Sequence, residues 1–447
     1  MIDPDLLCTV RAEVTSRLAG VFGRRESREH AGDYLRGLLS DLPRKNGWTI
    51  AEYAGCARPD GVQRLLYKDK WDELDARDRV RAFVVEYLAD PEAILVFDET
   101  GHEKSGIMTA GVGRQYTGSA GKITNAVVAV YCTYATSHGH CLIDGDLYVQ
   151  KAWFTDPERC AQAGFDPDHT FRTKPEIALE QAERVRTAGV AVRWATADEV
   201  YGRNTEFRQY FEKHHIGYVV AVGIDFRVPT RTGSRRADLI ASTVPSKAWN
   251  RRSCGQGAKG PRVYDWAMIA TTSPRHTLLI RRSITNPGDL AYFYTFVPPG
   301  IPILLSTLIR VAGIRWTVEE DFQQSKGQAG LDQTQVRRYR SWRRHIVLAM
   351  AALAIQAIGI TRHNRHHPDP VLPIHGDDTP PDDYGAIALT VPEAHRLLIL
   401  HDHIRDLPAP LAHRYARLKL GWVTWRRRHQ ARARWFHYRK RLAALGW

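Results

Sequence analysis

The chain has 447 residues, enough for two to four domains with a large buried core, and a formal net charge of +14. No stretch reaches the ~18 consecutive apolar residues of a membrane span, and MIDPDLLCTVRAEV lacks the basic-then-apolar layout of a secretion signal. Six scattered cysteines without a C-x-x-C pair argue against a disulfide framework and a zinc site, leaving a cytoplasmic protein with a polyanionic partner, nucleic acid before a membrane surface.

Residues 1–90 read as a helical N-terminal domain. Apolar residues recur at helical spacing through Leu6–Leu18, Tyr34–Leu42, Trp48–Ala54 and Val80–Leu88, with Pro43 and Pro59 breaking the run and Asp60 and Asp72 placed to cap. Gly55-Cys56-Ala57 between short helices suits a helix-turn-helix-like unit that binds DNA, and equally a plain helical support.

From Ala93 the period changes. AILVFDETG predicts a buried strand that ends at Asp98, TNAVVAVYCTYAT a second strand and GHCLIDGDLYVQ a third. A helix opens at Lys174-Pro175-Glu176, VAVRWATA is a fourth strand delivering Asp198, a helix covers Glu206–Lys213, and GYVVAVG is a fifth strand. Three strands, helix, strand, helix, strand is the order of a ribonuclease-H-like α/β core, here 91–223, and strand ends are where sheet folds build sites. Residues 224–302, with RVYDWAMIAT and HTLLIRRSI alternating, predict a β-rich domain whose basic loop from Lys247 to Arg262 attracts phosphates.

The core resumes over 303–360. IRWTVEEDFQQSKGQ predicts a helix opened by a capping box of Thr317 and Glu320. Glu319, Phe322 and Lys326 then share one face, and Arg315 can reach it from just upstream. On pattern alone this is ordinary solvated helix surface. A third carboxylate beside Asp98 and Asp198 turns the reading toward an acidic cluster, which divalent metal would neutralise. QVRRYRSWRR carries Arg337, Arg338, Arg343 and Arg344 among aromatics and suits a DNA backbone. IVLAMAALAIQAIGI reads as a buried helix, 361–388 as a Pro/Asp-rich linker, and 389–447 as a basic helical tail. In that tail Arg426, Arg427 and Arg428 sit among Trp425, Trp435, Phe436 and Tyr438, again suiting DNA.

These residues resemble the DDE transposases of bacterial insertion sequences, in the branch with a Tyr-x-x-Arg-x-x-x-Glu-x6-Lys signature and its insertion-sequence-701-like group. The resemblance runs from about Ala93 to Ile360 and rests on VFDETGHEKSG, DGDLYV, RTKPEIAL, WATADEVYG and RWTVEEDFQQSKGQAGLDQ. Arg315, Glu319 and Lys326 fit the signature, while Ala312 stands where it has tyrosine. It implies Asp98, Asp198 and Glu319 as a triad holding two Mg²⁺ or Mn²⁺ ions, and a β-rich insertion at 224–302. Lys326 and Arg315 would grip phosphates, and Trp249 or Trp266 would stack on a flipped base. The implied activity is cutting at terminal inverted repeats and strand transfer into target DNA, by a homodimer on double-stranded DNA. An idle, DNA-binding relative, or a ribonuclease-H-like nuclease on branched nucleic acid, would share much of this pattern.

Overall fold

The computed structural model describes residues 4–257, 260–368 and 381–444. Five helices come first: α1 (Pro4–Ala19), α2 (Arg25–Leu38), α3 (Gly47–Tyr53), α4 (Asp60–Tyr67) and α5 (Glu73–Leu88). Asp72 caps α5 as expected, accepting from the Leu74 and Asp75 amides, whereas Asp60 lies inside α4 and caps nothing.

The sheet begins with β1 (Ile94–Glu103), β2 (Gly113–Thr117), β3 (Lys122–Ala135) and β4 (His140–Tyr148). After α6 (Pro157–Ala163) and α7 (Lys174–Thr187) come β5 (Trp194–Ala197), α8 (Glu199–Gly202), α9 (Thr205–Lys213) and β6 (Gly217–Val222). The start of α7 is specified locally. Thr173 and Glu176 form a reciprocal capping box with Pro175 in the first turn, a device worth about 1 kcal/mol.

Strand β3 pairs antiparallel with β1 and, on its other side, with β2 and β4, while β1, β5 and β6 run parallel. Ile94 to Phe97 of β1 are all buried, as a central strand covered on both faces requires. Phe97 meets Phe207 of α9 edge-on at 5.7 Å, so the helical layer closes directly over the parallel strands.

The 224–302 segment forms the hairpin β7 (Arg227–Thr230) and β8 (Gly233–Arg236), α10 (Ala237–Ala241), then β9 (Asn250–Gly257), β10 (Gly260–Ala270), β11 (His276–Arg282) and β12 (Leu290–Phe296). It is β-rich, and its last four strands continue the central sheet in the order β6-β12-β11-β10-β9. The β7–β8 hairpin stands apart as a two-stranded sheet.

Among the described residues that follow, the helices are α11 (Leu305–Ile314), α12 (Trp316–Ala329), α13 (Tyr339–His366), α14 (Val391–Ile404) and α15 (Ala409–Ala444). By length and composition α13 could cross a membrane, but 89% of its apolar window is buried inside the protein. It is apolar all round because α1, α2, α4, α5, α12, α14 and β4 pack on every side of it. Of the expected linker over 361–388, positions 369–380 lie outside the described residues, and its first six positions are instead the end of α13.

Candidate metal-dependent catalytic site

The register of two parallel strands builds the centre of the site. Phe97 of β1 pairs with Ala197 of β5, so the next residues, Asp98 and Asp198, stand side by side. Strand β1 does not end at Asp98, as the sequence suggested: it runs on to Glu103 against β3, and only its β5 side is vacated. The chain leaves β5 into α8 with Asp198 as N-cap, its carboxylate accepting from the Val200 amide at 2.9 Å.

Glu99 joins this pair. Ligand oxygens of Asp98, Glu99 and Asp198 all lie within 4.8 Å of one another, one of two such clusters among the described residues. Its carboxylate accepts from Lys174 Nζ at 2.5 Å and from the Tyr201 hydroxyl at 2.8 Å. Burial, reinforced by Asp198, pushes the Asp98 carboxyl up to about 7 despite the opposing charge of Arg315. Asp198 is raised too, by burial and then by Glu99. Crowded, half-desolvated carboxylates of this kind fit a hard divalent cation, which takes oxygen ligands and removes their mutual repulsion.

Helix α12 brings the remaining groups. Val318, Phe322, Ser325 and Ala329 are buried along one face, and Phe322 packs edge-on against Tyr131 at 5.5 Å. Asp321, buried on the same helix, accepts from Thr133 Oγ1 at 2.8 Å and bonds His140 Nδ1 at 2.9 Å, fixing rotation about the helix axis. Burial opposes charge on His140, but Asp321 and then Glu320 hold its imidazole up to about 10. With that face fixed, Glu319, Gln323 and Lys326 line a cleft of about 470 Å³ together with Asp98, Glu99, Thr100 and Asp198.

Arg315 ties the two halves together, donating to Asp98 Oδ2 at 3.2 Å and to Glu319 Oε1 at 2.9 Å. Lys326 Nζ donates to Thr100 Oγ1 at 2.8 Å and to the Gly101 carbonyl at 2.9 Å, and burial lowers its pKa. Asp98, Asp198, Glu319 and Lys326, chosen from the sequence, therefore line one cleft, and Arg315 is bonded to two of its carboxylates.

Several expectations need correction. No capping box opens α12, because α11 runs into it with Arg315 as the joint, and no free helix start exists to cap. The Thr317 hydroxyl donates to the Ile314 carbonyl at 2.8 Å, and Glu320 pairs with His140 at 3.4 Å. Arg344 is 1% exposed and donates to the carbonyls of Leu65, Leu66, Asp69 and Trp71, so it holds the fold and not DNA. Arg427, buried and bonded to the Ile387 carbonyl, leaves the DNA-contact set for the same reason.

Arg343 and Arg426 are part-buried partners of Glu73 and Glu393, while Arg337, Arg338 and Arg428 are exposed. Trp249 is half-buried under the Arg282 guanidinium, 4.0 Å from its ring centre. Trp266 is 1% exposed and lines a cavity of about 340 Å³ with Arg262, Arg281, Ala312, Arg315 and Trp316. Stacking on Trp266 would require that cavity to open. Glu99 and the 49% exposed Trp316 were missed by sequence reasoning, although each directly follows a residue it singled out.

Comparison with known proteins finds two families. Residues 17–239 match the family described as DDE superfamily endonuclease, and residues 173–355 match the family described as Transposase DDE domain. Both descriptions are of DDE enzymes, and the two matches together run over residues 17–355. Over 187 residues it is 31% identical to the "Probable transposase for insertion sequence element IS701" of Microchaete diplosiphon, a match spanning 42% of this chain and 46% of that protein. Thus the chain matches about half the length of that curated relative. The cryo-EM structure of a piggyBac transposase synaptic complex with hairpin DNA aligns over 95% of this chain and 85% of its own, at 12% identity and a TM-score of 0.41, too loose a likeness to assign any residue.

Proposed function

We propose that this chain is a DNA transposase that cuts at the terminal inverted repeats of an insertion sequence and joins the ends to target DNA. The observation that carries the reading is the parallel β1–β5 register, which sets Asp98 beside Asp198 in the cleft that Glu319 and Lys326 also line. The strand order β4-β3-β1-β5-β6, antiparallel then parallel, supports a ribonuclease-H-like core.

Asp98, Asp198 and Glu319 would hold two Mg²⁺ or Mn²⁺ ions, with Glu99 close enough to share them. Bound there, the metal supplies Lewis acidity at the scissile phosphate and activates the attacking water or 3′ hydroxyl. Lys326, anchored on Thr100 and Gly101 beside the carboxylates, presents a cation to the phosphate flanking the cut. Arg315 can meet a phosphate bidentately once its two carboxylates are occupied. Two ends must be cut in concert, so the working form is a homodimer on double-stranded DNA at the nucleoid. The test is cleavage of a duplex carrying the element's terminal repeats: Asp98→Asn and Asp198→Asn should abolish metal-dependent cutting while retaining binding, and cutting by either at the wild-type rate would end this reading.

A further inference from the structure

The second cluster lies in the N-terminal helical domain and has no part in the catalysis described above. His30 and Asp33, three residues apart on one side of α2, meet Cys56 from the connection between α3 and α4, and their ligand atoms all lie within 4.8 Å of one another. All three residues are half-buried. The absence of a C-x-x-C pair counted against zinc in the sequence, but a site assembled from two helices and a loop has no such spacing to show.

Three further features shape the cluster. The Nδ1 of His30 is buried without a hydrogen-bond partner, a state a protein avoids unless something else meets the atom. The other edge of the imidazole is held by α4: a Cβ built on Gly61 would lie 2.2 Å from His30 Nε2, so only glycine admits the ring there. Cys56 is fixed as well. Gly55 ends α3 at φ +77°, its amide bonding the Glu52 carbonyl at 3.0 Å and the Cys56 amide bonding that of Ala51 at 2.9 Å, the paired bonds of a Schellman end. Arg36 is the competing cation, but it stands 3.6 Å from Asp33 Oδ1 and its guanidinium is also drawn over the Tyr53 ring at 5.9 Å.

We propose that His30, Asp33 and Cys56 bind a borderline divalent cation, Zn²⁺ by their nitrogen, oxygen and sulfur donors, with water completing a tetrahedron. The thiol gives up its proton on binding, and the neutral imidazole needs to give up none. The ion would staple α2 to the α3–α4 connection and so set the shape of the N-terminal domain.

The test uses the full-length protein, stripped of metal and titrated with Co²⁺ in excess Mg²⁺ so that the carboxylate cleft is filled. Wild type should show cysteinate-to-Co²⁺ charge-transfer absorption with tetrahedral d–d bands, both abolished by one equivalent of Zn²⁺. Cys56→Ser should lose the charge-transfer band, and Asp98→Asn should keep it, which separates this site from the catalytic one. Should Cys56→Ser fail to fold, His30→Gln should weaken Co²⁺ binding by at least about tenfold, the loss that even an outer-sphere partner causes. No charge-transfer band in wild type, its survival in folded Cys56→Ser, or unchanged affinity in His30→Gln would each overturn the proposal.

Discussion

At the scale of single residues, the informative groups are those whose charge the fold leaves costly. Asp98 is held at about 7 by burial and by Asp198, against about 4 in an unfolded chain. Its folded value is the higher one, so the native state keeps an extra proton between about pH 4 and 7. The site's contribution to stability is complete below that window and lost as pH rises through it. In EDTA the wild-type Tm should therefore decline between about pH 4 and 7, and Asp98→Asn should remove part of that decline. Mg²⁺ prefers the ionised carboxylates, so it should raise Tm more at pH 8 than at pH 5; equal shifts would mean that Asp98 does not meet the ion. Lys326 gives a second residue-scale prediction. Its two hydrogen bonds aim it at the cleft, so Lys326→Ala should slow single-turnover cleavage by one to a few powers of ten with Tm almost unmoved, each tenfold being about 1.4 kcal/mol. A rate equal to wild type would return Lys326 to ordinary helix surface. Asp98, Asp198, Glu319 and Lys326 were legible because the chemistry needs those types at that order and spacing. Glu99 was not, because a carboxylate that follows another along a strand normally faces away from it.

At the scale of elements, the sequence exposed the strands and helices whose periodicity is strong and misjudged their junctions. The buried runs of β1, β3 and β6 and the capped start of α7 follow directly from apolar patterning and cap chemistry. The start of α12 did not, because T-x-x-E looks the same whether a helix begins there or another helix runs into it. The basic stretch that runs into α13 shows the same limit. Five arginines in ten residues read as one DNA-facing surface, yet tertiary packing divides them: Arg344 is buried against backbone carbonyls of the end of α4 and the α4–α5 connection, whereas Arg337 and Arg338 are exposed. Arg344→Ala would strand those carbonyls and leave Glu73 short of a partner at 3.5 Å, which should cost about 3–5 kcal/mol of stability. Arg337→Ala should leave the stability to denaturant within about 0.5 kcal/mol of wild type and act only on DNA affinity. Similar Tm losses for both would show that burial does not divide this stretch.

At the scale of the molecule, one sheet spans the core and the β-rich segment, and Arg315, which lines the arginine-rich cavity, bonds Asp98 and Glu319 of the carboxylate cleft. Sequence alone separates such segments by composition and cannot see strands that rejoin a sheet far along the chain. The net charge of +14 is expressed most strongly on α15, where Arg414, Arg417, Arg428 and Arg432 are exposed near Trp422 and Trp425. Changing these four arginines to glutamine should flatten the salt dependence of DNA binding, by about 0.9 in log–log slope for each phosphate no longer neutralised; an unchanged slope would assign α15 to another partner. The central claim, that Glu319 completes the metal site with Asp98 and Asp198, is tested most directly by exchanging its ligand chemistry. Single-turnover cleavage of a terminal-repeat duplex is measured for wild type and Glu319→Cys in Mg²⁺ and in Mn²⁺. The account predicts that wild type cuts with either ion and that Glu319→Cys is silent in Mg²⁺ but recovers in Mn²⁺, which accepts a thiolate more readily. Wild-type cutting by Glu319→Cys in Mg²⁺ would contradict it.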